Sequence, residues 1–289
     1  MTTAAAQPGS LEGHGILVTG GGSGIGQGTA QRLVADGATV MICGRTEEKL
    51  VAAVDAITGE LGADAGARVS HRVCDVTDEA MVAETVAAAT ALTGTLDGLF
   101  ACAGGSTGLG PVTSLAYDAW QSTVAVNLHG TFLSIKHGGG VMAEQGSGAI
   151  VAMSSIAGTT SHRWFGAYGP AKAGIDMLVK MAADELGASG VRVNCVQPGV
   201  VATEIMEAVT QGGEVIDDYL AKMPISRIGE VDDVAGVVRF LLGPESPWIT
   251  GQSIAIDGGM NLRAGPDYSP FLKHMFSDEA MRGVVPKSE

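Results

Sequence analysis

Cations are scarce in this chain: 17 lysines and arginines stand against 31 aspartates and glutamates, a formal net charge of −14 and a sequence pI of about 4.7. A surface of that sign repels phosphate backbones and anionic headgroups, which argues against general nucleic-acid or membrane-surface binding. It leaves room for a local basic pocket that meets one phosphate. Cysteine is rare as well. Cys43, Cys74, Cys102 and Cys195 sit singly in apolar runs, with no C-x-x-C and no zinc spacing. They read as small buried hydrophobes in a reduced setting, and no metal site is expected. Residues 1–10 carry no basic region and no long apolar core, so no secretory signal is expected. No run offers about 20 uninterrupted apolar residues, the length a membrane-spanning helix needs. Internal repeats, low-complexity segments and interdomain linkers are also missing. These absences together predict a soluble cytoplasmic protein.

What is present is an apolar-rich globular composition, with 46% hydrophobic and 17% charged residues over 289 positions. The 43 glycines follow no G-X-Y period and read as turns and close helix–strand approaches. Short β-branched runs at 16–19, 39–43, 68–74, 98–101, 149–154, 191–197 and 253–256 alternate with amphipathic stretches at 25–36, 47–61, 79–93, 117–143, 165–186 and 231–242. Buried strands separated by helices predict an α/β fold, a single doubly wound domain whose central parallel sheet of about seven strands has helices on both faces. The pattern runs over 11–260, after a flexible start at 1–10. Gly138-Gly139-Gly140 interrupts one helical stretch, each glycine costing about 0.8–1 kcal/mol relative to alanine. Either that helix breaks or a neighbour approaches closely. The tail at 261–289 carries an apolar patch of Phe271, Leu272, Met275 and Phe276; it is either frayed or an arm packed on another subunit.

The most informative local pattern is Thr19-Gly20-Gly21-Gly22-Ser23-Gly24-Ile25-Gly26, directly after the apolar run 15–18. A strand ending in such a turn and opening a helix lets backbone approach a pyrophosphate, whose charge meets the first unpaired N–H groups of the helix. Gly20, Ser23, Gly24, Ile25 and Gly26 are the candidate contacts, although such a turn alone is also found in flexible loops. At the end of the second strand, Gly44-Arg45-Thr46 has no carboxylate to hold a ribose 2′-OH. A guanidinium there suits a 2′-phosphate, so NADP(H) is favoured over NAD(H), unless Arg45 is simply solvated. Asp75 either accepts from an adenine amino group or caps a helix.

Tyr168 and Lys172 are four apart in a helical stretch and share one face. A phenol titrates near 10, so accepting an alcohol proton near neutrality needs its pKa lowered by about three units, roughly 4 kcal/mol of anion stabilisation. An ammonium and a nicotinamide cation could supply that. Ser155 closes the fifth strand, where its hydroxyl can meet a substrate oxygen.

With these residues together, the chain closely resembles the short-chain dehydrogenase/reductase family in its basic form of about 250 residues, over about 11–260. The likeness rests on the glycine turn, Asp75-Val76, Ala101-Cys102-Ala103-Gly104 in place of N-N-A-G, Asn127, Ser155, Tyr168-x-x-x-Lys172, Pro198-Gly199 with Thr203, and Asp257-Gly258-Gly259. The resemblance implies a Rossmann domain and a ketone–secondary alcohol oxidoreductase. Tyr168 would be its general acid/base, with Ser155 polarising the carbonyl. It also implies that Lys172 binds the nicotinamide ribose and depresses the tyrosine. Asn127 would hold a relay water, while Val201 and Thr203 would hold the carboxamide. Ala103, Gly104, Pro198 and Gly199 would line the cofactor. The loss of both asparagines at Ala101 and Cys102 bears on the cofactor floor more than on the chemistry. The resemblance also implies dimers or tetramers, and a homotetramer is expected. His162, Arg163, Trp164 and Phe165 fall at the implied pocket rim, and 204–223 resembles a substrate lid or else packs as core. If they line it, the pocket suits a bulky apolar ketone or alcohol. Two other readings stay open: an enoyl- or dienoyl-CoA reductase, against which the intact Ser155–Tyr168 spacing counts, and a nucleotide-sensing protein without turnover.

Overall fold

The computed structural model describes residues 11–263, 269–272, 274–275 and 277–284. The flexible start expected at 1–10 lies outside the described residues, as do parts of the tail, including Phe276 and the side chains of Phe271 and Leu272; Met275 is exposed.

Seven strands form one sheet: β1 (Gly15–Thr19), β2 (Thr39–Gly44), β3 (Val69–Val73), β4 (Gly98–Ala101), β5 (Gly148–Met153), β6 (Val191–Pro198) and β7 (Ser253–Ile256). Their spatial order is β3-β2-β1-β4-β5-β6-β7, and every neighbouring pair is parallel. The α-helices up to residue 263 are α1 (Gly24–Ala35), α2 (Glu47–Leu61), α3 (Ala63–Gly66), α4 (Glu79–Thr93), α5 (Tyr117–Val124), α6 (Gly130–Gln145), α7 (Tyr168–Gly187), α8 (Glu207–Thr210), α9 (Glu214–Lys222) and α10 (Val231–Leu242). The chain winds outward from β1 in both directions, so the order reverses between β1 and β4. In sheets of this kind the crevice at that reversal, beyond the carboxyl ends of the strands, is where ligands bind.

Alternation along the strands builds two cores. Ile16 and Val18 face Leu33, Leu50, Ile57 and Val238 from α1, α2 and α10. Leu17, Leu99 and Ile150 face Val86, Ile135, Ile175 and Val179 from α4, α6 and α7. Burying each such side chain contributes about 1.5–3 kcal/mol, which ties both helical layers to the sheet.

Two helix expectations need correction. The stretch 117–143 is not one α-helix: Ala125–His129 is π-helical between α5 and α6. The widened turn coincides with Asn127, whose side-chain amide donates to the carbonyls of Thr123 (2.8 Å) and Gly105 (2.6 Å). The stretch 165–186 begins only at Tyr168, because Trp164 (φ 68°) and Gly166 (φ 61°) are left-handed. At Gly166 a Cβ would lie 2.4 Å from the carbonyl oxygen of Gly108. The glycine triplet, by contrast, leaves α6 unbroken. A Cβ on Gly138 would meet Leu99 at 2.7 Å and one on Gly139 would meet Leu186 at 2.9 Å. These glycines permit close packing on the sheet and on α7. Among the described residues no helix is long and apolar enough to cross a membrane, and no cluster of three or more His, Cys, Asp or Glu could hold a metal ion.

Candidate active site

The glycine turn sits at the carboxyl end of β1, beside the sheet reversal. Thr19 Oγ accepts from the backbone N–H groups of Cys102 and Ala103, both at 3.1 Å, and so fixes the end of β4 against β1. Gly20 has φ 68°, and a Cβ there would come within 2.9 Å of Ala103 Cα. A Cβ on Gly26 would lie 2.2 Å from the carbonyl oxygen of Gly20. Gly24 opens α1 at φ 52°, after an extended Ser23 whose hydroxyl makes no capping bond. The first N–H groups of α1 therefore face the crevice without a side-chain cap, the arrangement that suits a phosphate.

A cavity of about 320 Å³ opens at this turn. Of the residues singled out from the sequence, Gly20, Ser23, Gly24, Ile25, Gly26, Ala103, Gly104, Ser155, Tyr168, Lys172, Pro198, Gly199, Val201 and Thr203 all line it. Arg45, Asp75, Val76 and Asn127 do not. Arg45 is exposed just past β2, close enough to Asp75 for its charge to act there. Burial raises the Asp75 carboxyl, but hydrogen bonds from Thr77 and the Arg45 charge outweigh it and leave the group below its usual value. Asp75 Oδ1 accepts from the Thr77 amide (3.0 Å) and hydroxyl (2.8 Å), whereas the cap of α4 is Asp78. The capping alternative thus falls on the wrong aspartate. Val76 is buried against Gly130, where a Cβ would meet it at 2.6 Å. Asn127 is fully buried behind the cavity wall, with both donors spent on carbonyls and its Oδ1 accepting from Gly105 N–H at 3.3 Å.

Tyr168, Ser155 and Lys172 meet at the cavity floor. Ser155 lies close enough to Tyr168 to favour its phenolate, and its hydroxyl accepts at 3.2 Å from the Ala157 amide. Lys172 is buried; its Nζ donates to the carbonyl of Met153 at 2.7 Å and lies 5.2 Å from the Tyr168 ring centre. Burial pushes the phenol up to about 12, only partly offset by Ser155. The depression expected from the sequence draws also on a nicotinamide cation, so the residues of the chain alone do not produce it. Burial also brings Lys172 down to about 8, against the opposing pull of the neighbouring Asp176. Two buried groups each resist their charged forms here, and the chain alone does not supply the anion stabilisation a phenolate needs.

Sequence reasoning missed several neighbours. Asp176, buried one turn beyond Lys172, accepts from Gln197 Nε2 at 2.8 Å and from the Cys195 thiol at 3.3 Å. Its i+4 spacing from Lys172 was the available signal. Cys102 also lines the cavity, its thiol pushed up to about 12 by burial. The segment read as a lid forms α8 and α9, and Glu204, Ile205, Met206 and Tyr219 close one side of the cavity. Glu204 Oε2 accepts from Lys49 Nζ of α2 at 2.9 Å. On the opposite side, His162, Phe165 and Tyr168 stand in ring contact, with Phe165 edge-on to Tyr168 at 5.2 Å and His162 at 5.7 Å from Phe165.

The family model described as enoyl-(acyl carrier protein) reductase matches residues 20–261. Levodione reductase of Leifsonia aquatica is 34% identical over 252 residues, covering 85% of this chain and 93% of the relative. The cis-4-hydroxycyclohexanecarboxylate dehydrogenase of Sinomonas cyclohexanicum is 37% identical over 243 residues, covering 84% and 94%. Among solved structures, a short-chain type dehydrogenase/reductase from Mycobacterium ulcerans superposes with a TM-score of 0.85 at 46% identity, covering 95% of this chain and 99% of that one. The chain belongs to the short-chain dehydrogenase/reductase family. Like its relatives, it is an oxidoreductase acting on CH–OH and C=O groups, and the family uses a nicotinamide cofactor. The cradle fits such a group. Its glycines keep backbone bare where a Cβ would intrude, and an uncapped helix start faces the space.

Proposed function

We propose that this short-chain dehydrogenase/reductase interconverts a ketone and a secondary alcohol with NADP(H), Tyr168 serving as general acid/base. The observation that carries the reading is the convergence of Ser155, Tyr168 and Lys172 on the cavity that begins at the glycine turn. When bound, the nicotinamide exchanges a hydride with the carbinol carbon. In the reducing direction, Tyr168 gives its hydroxyl proton to the carbonyl oxygen while Ser155 holds that oxygen by a hydrogen bond. A phenol pushed up to about 12 is protonated at neutral pH, the form this direction requires. Lys172, anchored on the Met153 carbonyl, has further donors with which it would hold the cofactor's ribose. Asn127 holds the loop after β4 in place at Gly105.

Arg45 supports NADP(H). It stands just past β2, which ends in Gly44 and not in an acid, although Asp75 lies within reach of its charge and Glu47 and Glu48 follow in the first turn of α2. The apolar and aromatic walls support a bulky apolar ketone or alcohol. Four free cysteines agree with a reduced, cytoplasmic compartment. Phe132, Met177 and Met181 are about half exposed on α6 and α7 and suit burial between subunits of a homotetramer.

Following NADPH absorbance against ketones and enoyl-CoAs tests the assignment. Turnover of ketones is expected. Activity confined to enoyl-CoAs would replace it with C=C reduction, and binding without turnover would make the chain a sensor. Tyr168→Phe is expected to retain cofactor binding, read by NADPH fluorescence, while turnover falls by at least the 10²–10⁴-fold typical of a lost general acid.

A further inference from the structure

His162 lines the cavity from the segment between Ser155 and Tyr168, and its two ring nitrogens are in different situations. Nδ1 lies 2.8 Å from the carbonyl oxygen of Thr160. A carbonyl only accepts, so Nδ1 carries the hydrogen, and the neutral ring keeps its lone pair on Nε2. No hydrogen bond to Nε2 occurs among the described residues. The anchor that sets this tautomer is itself rigid. Thr160 donates its amide to the Ile156 carbonyl (2.8 Å) and its hydroxyl to Asn261 Oδ1 (2.6 Å), and Asn261 donates its own amide to Asp257 (3.0 Å). The ring is packed by two others, Phe165 at 5.7 Å and Tyr219 of α9 at 6.0 Å. The result is a fixed hydrogen-bond acceptor set into an otherwise apolar and aromatic wall. His162 and Tyr168 both pack on Phe165, their ring centres 5.7 and 5.2 Å from it.

We propose that His162 Nε2 accepts a hydrogen bond from a second, remote hydroxyl of the substrate, so that the enzyme prefers diols or hydroxyketones whose two oxygens lie across a ring. This rests on the ketone–alcohol reading and sharpens its substrate class. The apolar wall takes the ring faces, Tyr168 and Ser155 take the reacting oxygen, and the second hydroxyl keeps its proton throughout. In oxidation the carbinol carbon loses a hydride to the cofactor and its hydroxyl loses a proton to Tyr168; the remote C–O–H is unchanged. A vicinal diol keeps both oxygens near Tyr168 and leaves Nε2 unused. A substrate with no second donor leaves a lone pair desolvated, which is how a polar group in an apolar wall discriminates.

The test compares 1,4-cyclohexanediol with cyclohexanol in the wild type, His162→Leu and His162→Gln, with NADP⁺ and NAD⁺. The wild type is expected to favour the diol in kcat/KM by about tenfold, with the difference mostly in KM. His162→Leu is expected to lose that ratio, and His162→Gln, whose side-chain oxygen also accepts, to keep more of it. Equal wild-type use of the two alcohols overturns the proposal, as does an undiminished ratio in His162→Leu. A His162→Gln ratio as low as the leucine variant's overturns it too. Turnover of neither alcohol with either cofactor counts against the ketone–alcohol reading itself, whereas turnover of both without discrimination removes only the role of His162.

Discussion

Lys172 and Asp176, one turn apart on α7, form the electrostatic floor of the site: the ammonium is tied to the Met153 carbonyl at 2.7 Å, and the carboxylate behind it raises a pKa that burial would otherwise lower further. Asp176 is held in turn by Gln197 and by the thiol of Cys195, on the strand that carries Pro198 and Gly199 into the cavity. The charge state of this cavity-lining lysine is therefore biased by a neighbour that lines no part of the pocket.

Ketone reduction is expected to fall as pH rises through about 8, where Lys172 loses its proton. Asp176→Asn removes the charge that favours the protonated ammonium, so the alkaline limb of kcat/KM moves to lower pH. A purely structural loss would lower activity at all pH values without moving the limb. A pH–rate series on both proteins separates the two.

Arg45→Asp is expected to reverse the cofactor preference, raising KM for NADPH by about tenfold or more while sparing NADH. Exchange of a guanidinium for a carboxylate replaces a charge-assisted contact by repulsion. The NADPH/NADH ratio of kcat/KM is the measurement, and an unchanged ratio removes Arg45 from the reading.

Asp233 closes a capping box at the start of α10 and receives both Arg227 nitrogens, at 2.7 and 2.8 Å. The Arg227 hydrogen bond is the chief cause that lowers its carboxyl from 3.8 to about 2. A carboxylate depressed by folding stabilises the native state fully above its unfolded pKa, and that contribution is lost as pH falls from about 4 towards 2. Asp233→Asn is expected to cost about 1 kcal/mol at pH 7, a capping-scale loss with the exposed ion pair adding little. The difference from wild type should shrink below pH 3. Urea melts at both pH values check it.

Much of this was legible in the chain. All seven strands fall within two residues of their expected positions, because fully buried parallel strands are short apolar runs bounded by turns. Fourteen of the eighteen named site residues line one cavity, since the glycine turn and the Tyr168–Lys172 spacing each encode backbone geometry directly. The π-helical turn at Asn127 was not legible: it coincides with a pair of hydrogen bonds, one of them to Gly105, which is 22 residues away. The late start of α7 depends on a left-handed Trp164, a conformation bulky residues seldom adopt and no propensity announces. The upward pull of burial on the phenol was equally hidden: spacing brings an ammonium near a hydroxyl but does not say how much water the fold removes around them.

Lys49 and Glu204 grip each other over the outside of the glycine turn, from the start of α2 to the residue after Thr203, which itself packs on Gly24. Both side chains are more than half exposed, and such a pair is worth only about 0–1 kcal/mol. The clasp that spans the two banks of the groove is thus weak by construction. A nucleotide can part it at almost no energetic expense, so residence time in the groove will depend on the contacts made beneath the clasp, with salt in the medium loosening only the outermost stitch.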